Sequence, residues 1–220
     1  MTKPQKTDES LSVYVAFLTT PTKIGKTIRF VSRNKYSHVA LSFEEDLSTM
    51  YSFARYCVNA PLIAGFVKES ILRYYYNDNP SVPVKICKIP LPPEKYSRVR
   101  DYIHSMEENS EQYIYNYLAL AAAPLKLKIL IEKSFTCLEF VYSVLYNCGI
   151  ETSLDISSYY TIVDLERVLE KHVAFEGFLE PPTEQISWGS DLFCCKKSTY
   201  RVLTGSIRCC GSLLRRAFRN

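Results

Sequence analysis

The stretch Ser134-Phe135-Thr136-Cys137-Leu138-Glu139-Phe140-Val141 decides how this chain is read. A helical pattern begins there, with Leu138, Val141, Leu145 and Cys148 at helical spacing, and Gly149 closes it as a C-cap residue does. The pattern predicts a helix over 134–148 that starts on or just before a cysteine. At a helix start, unpaired N–H groups and the positive end of the helix dipole favour a thiolate. About a hundred residues upstream lies Tyr36-Ser37-His38-Val39-Ala40-Leu41-Ser42-Phe43, where a histidine opens an alternating, strand-like run. A helix-start cysteine and a strand histidine are what a cysteine nucleophile and its base require. The other two histidines, His104 and His172, lie in charged helical stretches and read as surface residues.

Working outward, the order is strands first and helices later. Leu11–Thr19 is a β-rich apolar run, hence a buried strand. Thr20-Pro21-Thr22 reads as a turn and helix start, with Ile24, Ile28, Phe30 and Val31 facing the core. Tyr36–Phe43 is the second strand, Glu44–Ser48 a polar turn, and Met50–Arg55 the returning strand of an antiparallel hairpin. Val82–Ile89 is a further strand, ended by prolines. Helices are expected over Glu94–Asn109, Tyr113–Ala123, Ser134–Cys148 and Ile162–Lys171. The fold class is therefore α+β, an antiparallel sheet packed on one side by helices.

Composition bounds the function. At 220 residues with 47 % hydrophobic side chains, the chain supports one ordinary core. Gly25-Lys26-Thr27 resembles the end of a phosphate loop, but the upstream glycine is missing. No CxxC pair points to structural zinc, and neither metal nor cofactor is expected. Met1–Ser10 is too polar for a signal peptide, and no apolar run reaches the roughly 18 residues of a membrane span. A cytoplasmic protein with reduced thiols is expected.

The charge is uneven. Residues 196–220 hold seven basic side chains and no acidic one, which leaves 20 basic against 23 acidic in the rest. The organisation read from this is a flexible leader over 1–10, a catalytic domain over 11–185, and a basic, cysteine-rich tail over 186–220. Cys194-Cys195-Lys196-Lys197 and Arg208-Cys209-Cys210 set cysteine pairs beside basic residues. The mixed Leu213-Leu214-Arg215-Arg216-Ala217-Phe218-Arg219 follows. Such a tail suits an anionic membrane surface, with or without acylated cysteines, and so a peripheral membrane location. It lacks a nucleic-acid reading motif, so no nucleic-acid partner is expected.

The pairing of Tyr36–Leu41 with Phe135–Val141 resembles the circularly permuted papain-fold hydrolases of the NlpC type, in which the histidine strand precedes the cysteine helix. The lecithin:retinol acyltransferase-like enzymes share that order. Tyr51–Arg55, Gly65-Phe66-Val67 and Asn147–Ile150 add to the likeness, which covers roughly residues 11–165. The resemblance implies a cysteine hydrolase or acyltransferase acting on an amide, ester or thioester bond of a peptide, amide or lipid. Cys137 would be the nucleophile and His38 its base. It also implies a third polar group on the strand after the histidine strand. Ser52 is the candidate there, with Glu45 or Arg55 as alternatives. Because Met50–Ala54 holds no acidic or amide side chain, the rival reading is a weak or inactive binding module of the same fold.

Overall fold

A computed structural model describes residues 11–20, 25, 34–75, 81–150, 152, 155, 157–180 and 192–219. The protein is α+β. Its main sheet has six antiparallel strands, β1 (Ser12–Leu18), β2 (His38–Ser42), β3 (Met50–Arg55), β4 (Ala64–Glu69), β5 (Val82–Pro90) and β8 (Val173–Leu179). Their order across the sheet is β4-β3-β2-β1-β5-β8. A separate two-stranded parallel pair joins β6 (Ile114–Tyr115) to β7 (Ser134–Phe135). The helices are α1 (Leu72–Tyr75), α2 (Pro93–Glu108), α3 (Tyr117–Ala122), α4 (Cys137–Asn147), α5 (Ile162–Val168) and α6 (Thr199–Ala217).

Strand β1 is apolar from Val13 to Leu18 apart from the Tyr14 hydroxyl, as suits a mid-sheet strand buried on both faces. Val13, Val15 and Phe17 turn to the face covered by α2 and α4, where they meet Val99, Ile103, Phe140, Val141 and Val144. Tyr14, Ala16 and Leu18 turn to the opposite face, which Leu47, Tyr74 and Tyr75 cover. The helices on one side were expected. The buried second face was not, and it follows from strands that are apolar at successive positions rather than alternating.

Elsewhere the expected elements hold with shifted ends. The expected helix over Tyr113–Ala123 is split: β6 comes first, Asn116 caps α3 by accepting from the Ala119 N–H, and a 3₁₀ turn carries Pro124. The cysteine helix starts at Cys137, not Ser134, because Ser134 and Phe135 pair with β6. It ends as expected. Gly149 takes a left-handed φ of 67°, its N–H reaches the Tyr146 carbonyl (3.0 Å), and the Ile150 N–H reaches Leu145 (2.8 Å). The helix expected after Thr20-Pro21-Thr22 lies outside the described residues apart from Gly25. Strands β4 and β8 and helix α6 were not anticipated as elements.

Gly65 on β4 runs hard against the β6 side of the molecule. A side-chain carbon there would overlap the Tyr113 carbonyl oxygen, which is backbone, and the Tyr56 hydroxyl. Gly65→Ala should therefore cost about 1–3 kcal/mol in urea denaturation, since the strand must move to admit the methyl group. Unchanged stability would mean that β4 is not pressed against Tyr113.

Candidate functional site

Thr136 caps α4. Its hydroxyl accepts from the Glu139 N–H (3.2 Å), and the Glu139 carboxylate accepts from the Thr136 N–H (2.8 Å), a reciprocal capping box. Cys137 is thus the first residue of a firmly started helix, where the leading N–H groups have no intrahelical acceptor. Its side chain is nearly buried, at 7 % exposure.

His38 is the first residue of β2. The residue before it is pinned from two sides: the Ser37 N–H reaches the Leu18 carbonyl (3.0 Å), and its hydroxyl meets the Thr20 hydroxyl (3.0 Å) and N–H (3.1 Å). The imidazole is 6 % exposed and lines one cleft with Cys137. Its Nε2 lies 2.8 Å from Oε1 of Glu69, so Nδ1 is the ring nitrogen left for sulfur.

Glu69 ends β4 and has no exposed side-chain surface. Besides His38 it accepts from Arg73 Nη1 on Oε2 (2.7 Å) and from the Tyr74 hydroxyl on Oε1 (3.2 Å). Burial pushes the Glu69 carboxyl up, but His38 and Arg73 outweigh it and bring the group down to about 2. Burial pushes His38 down, but the Glu69 carboxylate, and after it the neighbouring Cys137, outweighs burial and lifts the imidazole to about 10.

The structure places Cys137 and His38 on one cleft, and the group on the histidine ring is Glu69, not Ser52. Ser52 is fully buried on β3, close enough to help keep Glu69 ionised, yet its hydroxyl makes no well-formed hydrogen bond. Neither alternative contacts the ring. Glu45 sits at the surface, accepting from the Tyr14 hydroxyl (3.1 Å) beside Lys88. Arg55 lines the cleft, donates to the Val58 carbonyl (3.3 Å), and lies over the Phe193 ring at 5.5 Å. One signal is strand parity, once the register of the sheet is known. Residues 38, 40 and 42 share a face of β2, Ser42 pairs with Met50, and Met50 pairs with Glu69. A second was the acid–arginine spacing of Glu69 and Arg73 on the same chain segment.

The cleft over Cys137 and His38 is also lined by Phe53, Pro61, Tyr115, Tyr117, Leu120 and Phe193. Tyr115 comes from β6, and its phenol is held well above its ordinary pKa by burial and then by the nearby Cys137. Phe193 comes from the C-terminal region. Its carbonyl accepts from the Val58 N–H (2.8 Å), and the Arg73 guanidinium lies over its ring at 5.0 Å. Among the described residues, no cluster of three or more His, Cys, Asp or Glu side chains is arranged to hold a metal ion. His104 is exposed beside Glu108, as its sequence setting implied. No family model matches this chain, and neither the curated proteins nor the solved structures contain a match to it.

The ion cluster sets a pH dependence of stability. Glu69 is depressed from an ordinary value of about 4.3, so its contribution is complete above about 4.3 and lost as pH falls through about 2. His38 is raised from about 6.5, so its contribution is complete below about 6.5 and lost as pH rises through about 10. Glu69→Gln leaves Arg73 and His38 without their buried counter-ion. It should lower stability by about 3–5 kcal/mol near pH 6 and flatten the decline above about pH 6.5. Urea titrations across pH measure both, and an unchanged alkaline slope would show that Glu69 does not hold the proton on His38.

Proposed function

We propose that the chain is a cysteine-dependent hydrolase or acyltransferase of the permuted papain kind, acting on an amide, ester or thioester bond. The observation that carries this reading is the Cys137–His38–Glu69 line. A cysteine at a capped helix start shares a cleft with a strand imidazole, whose Nε2 is fixed 2.8 Å from a buried carboxylate. Nucleophile, base and orienting group stand in the order that such chemistry needs. The rival reading as an inactive module rested on the lack of an acid for His38, and Glu69 removes that motive.

In the proposed reaction, His38 takes the thiol proton through Nδ1 and the sulfur attacks the acyl carbon. The carbonyl oxygen becomes an oxyanion that the N–H groups at the start of α4 receive. His38 then gives its proton to the departing amine, alcohol or thiol as the carbon–heteroatom bond breaks, leaving a thioester on Cys137. Water, or an acyl acceptor in a transferase, loses a proton to His38 and attacks that thioester. The acid or the transferred product forms, and the thiol is restored. Glu69 keeps the imidazole in one tautomer and stabilises its charged form without exchanging a proton itself. Lining by Phe53, Leu120 and Phe193 favours an acyl group with apolar surface. No disulfide joins the described cysteines.

Iodoacetamide at neutral pH, read by peptide mass mapping, should label Cys137 far faster than the other buried thiols, and His38→Ala should slow that labelling. Against a panel of acyl amides, esters and thioesters, Cys137→Ala should abolish turnover, and His38→Ala should reduce it by about 10²–10⁴. A Cys137→Ala protein that melts far below wild type, beside a fully active Cys137→Ser, would make this cysteine a core residue and end the proposal.

A further inference from the structure

The C-terminal helix α6 is bound to the body along one face only. Val202 and Cys209 pack on the small cluster of Cys57, Ala60 and Ile63, and Leu213 and Ala217 pack with Ile114 and Ile131. The Arg216 guanidinium donates to the carbonyls of Gln112 (2.9 Å), Lys133 (3.1 Å) and Glu132 (3.3 Å). At Gly205 the helix comes so near Ile63 that a side-chain carbon would overlap that residue's tip. This face holds the helix in place.

The opposite face is apolar and exposed. Tyr200, Leu203, Ile207, Leu214 and Phe218 recur at three- and four-residue steps or their sum, and they are between 45 % and 87 % exposed. Little more than a quarter of a turn away, at roughly 100° per residue, runs a second exposed row of Arg201, Arg208, Arg215 and Arg219. No acidic residue occurs from 192 to 219. Beside the C-terminal half of the helix, Leu125, Leu127 and Leu130 also point outward, with Lys126 among them. The two segments adjoin because Tyr117, Leu118 and Ile129 pack in the same cluster as Leu213 and Ala217. Among the described residues, eight of the thirteen exposed large hydrophobic side chains lie in these two segments. Scattered apolar side chains are ordinary on a protein surface, whereas a gathered patch marks a contact.

We propose that this face of α6, with the Leu125–Leu130 loop, docks the protein onto an anionic lipid surface. Charge decides the occupant. An apolar row flanked by arginines, with no acid on the helix itself, suits a bilayer interface, where the row enters the acyl boundary and the arginines meet phosphates. A second copy of the chain would bring arginine rows together with no acidic side chain on either helix to receive them. The helix lies on the membrane rather than through it, since no described helix is long and apolar enough to cross one. Cysteine acylation is not required, and Cys209 is turned into the body beside Tyr56. Tyr117 and Leu120 of α3 line the cysteine cleft, and Tyr117 also packs against α6, so docking would bring that cleft close to the lipid. The docking stands independently of the catalytic reading, since nothing in it involves Cys137.

The test is co-sedimentation of the full-length protein with phosphatidylcholine vesicles, with and without phosphatidylserine, at about 0.1 M and about 0.5 M salt. Binding is expected to the phosphatidylserine vesicles, weaker in high salt and slight on phosphatidylcholine alone. Two triple variants, Leu203→Ser/Ile207→Ser/Leu214→Ser and Arg201→Gln/Arg208→Gln/Arg215→Gln, should each weaken binding by more than about tenfold. Both should melt like wild type because they change only exposed side chains. No sedimentation with anionic vesicles at low salt would overturn the proposal. So would equal binding to the two lipid compositions, or undiminished binding by either variant. A lipid-free dimer in sedimentation velocity that the serine variant dissolves, without vesicle binding, would assign the face to a second copy instead.

Discussion

A fully buried carboxylate is the constraint on which the rest of the site depends. Removing Glu69 from water costs several kcal/mol unless its oxygens are met by positive charge and hydrogen bonds. Its partners come from separate parts of the fold: His38 from β2, and Arg73 and Tyr74 from α1. A four-residue helix such as α1 has no stability of its own. It persists because Arg73 and Tyr74 are fixed on Glu69 while Tyr74 and Tyr75 fill the second core. Satisfying the charge therefore sets the end of β4, the placement of α1 and the orientation of the imidazole together. With the proton on His38, imidazolium, carboxylate and guanidinium alternate in sign. Such a string can be buried where any single member could not.

What the sequence disclosed follows from the strength of its local signals. Strand β1 carries an unbroken buried run and helices α2 and α4 apolar patterns at helical spacing, and these and the β2–β3 hairpin lie close to where the residues place them. Cys137 and His38 were legible because each sits at the boundary of such an element. Glu69 was not, since an acid at the end of an apolar strand reads as the polar residue that stops it. Only the pairing of Ser42 with Met50 and of Met50 with Glu69 shows that it shares a sheet face with His38. Ser52 is on that face as well. A serine hydroxyl is too short to reach a ring that a glutamate can reach. Strand β8 escaped notice because its residues are mostly exposed at the sheet edge, where burial imposes no pattern.

Helix α6 was legible only as composition, for a reason visible in its packing. An ordinary surface helix turns its large apolar residues inward. Here the inward face is Val202, Gly205, Cys209, Leu213 and Ala217, mostly small, and the large residues point out. Small residues allow close approach, so the body grips the helix through tight contact and through Arg216 on three backbone carbonyls rather than through a broad apolar stripe. A search for an inward stripe finds the wrong face of such a helix, and the basic residues then read as a solvated tail.

The same segment reaches the site. Immediately before α6, the Phe193 carbonyl accepts from the Val58 N–H, while Asn59 exchanges two hydrogen bonds with the backbone of Lys197 (2.7 and 3.0 Å). These contacts clamp residues 193–197 to the β3–β4 connection, and the Phe193 ring is thereby held under Arg55 and Arg73 at the wall of the cleft. Arg73 in turn holds Glu69, and Glu69 holds His38. A continuous set of contacts therefore runs from the root of α6 to the imidazole. Any force that shifts the helix relative to the body acts first on the Asn59 clamp and the Phe193 ring, one guanidinium away from the carboxylate. Attachment of the C-terminal helix and orientation of His38 are thus two ends of one packed structure, although they lie more than 150 residues apart in the chain.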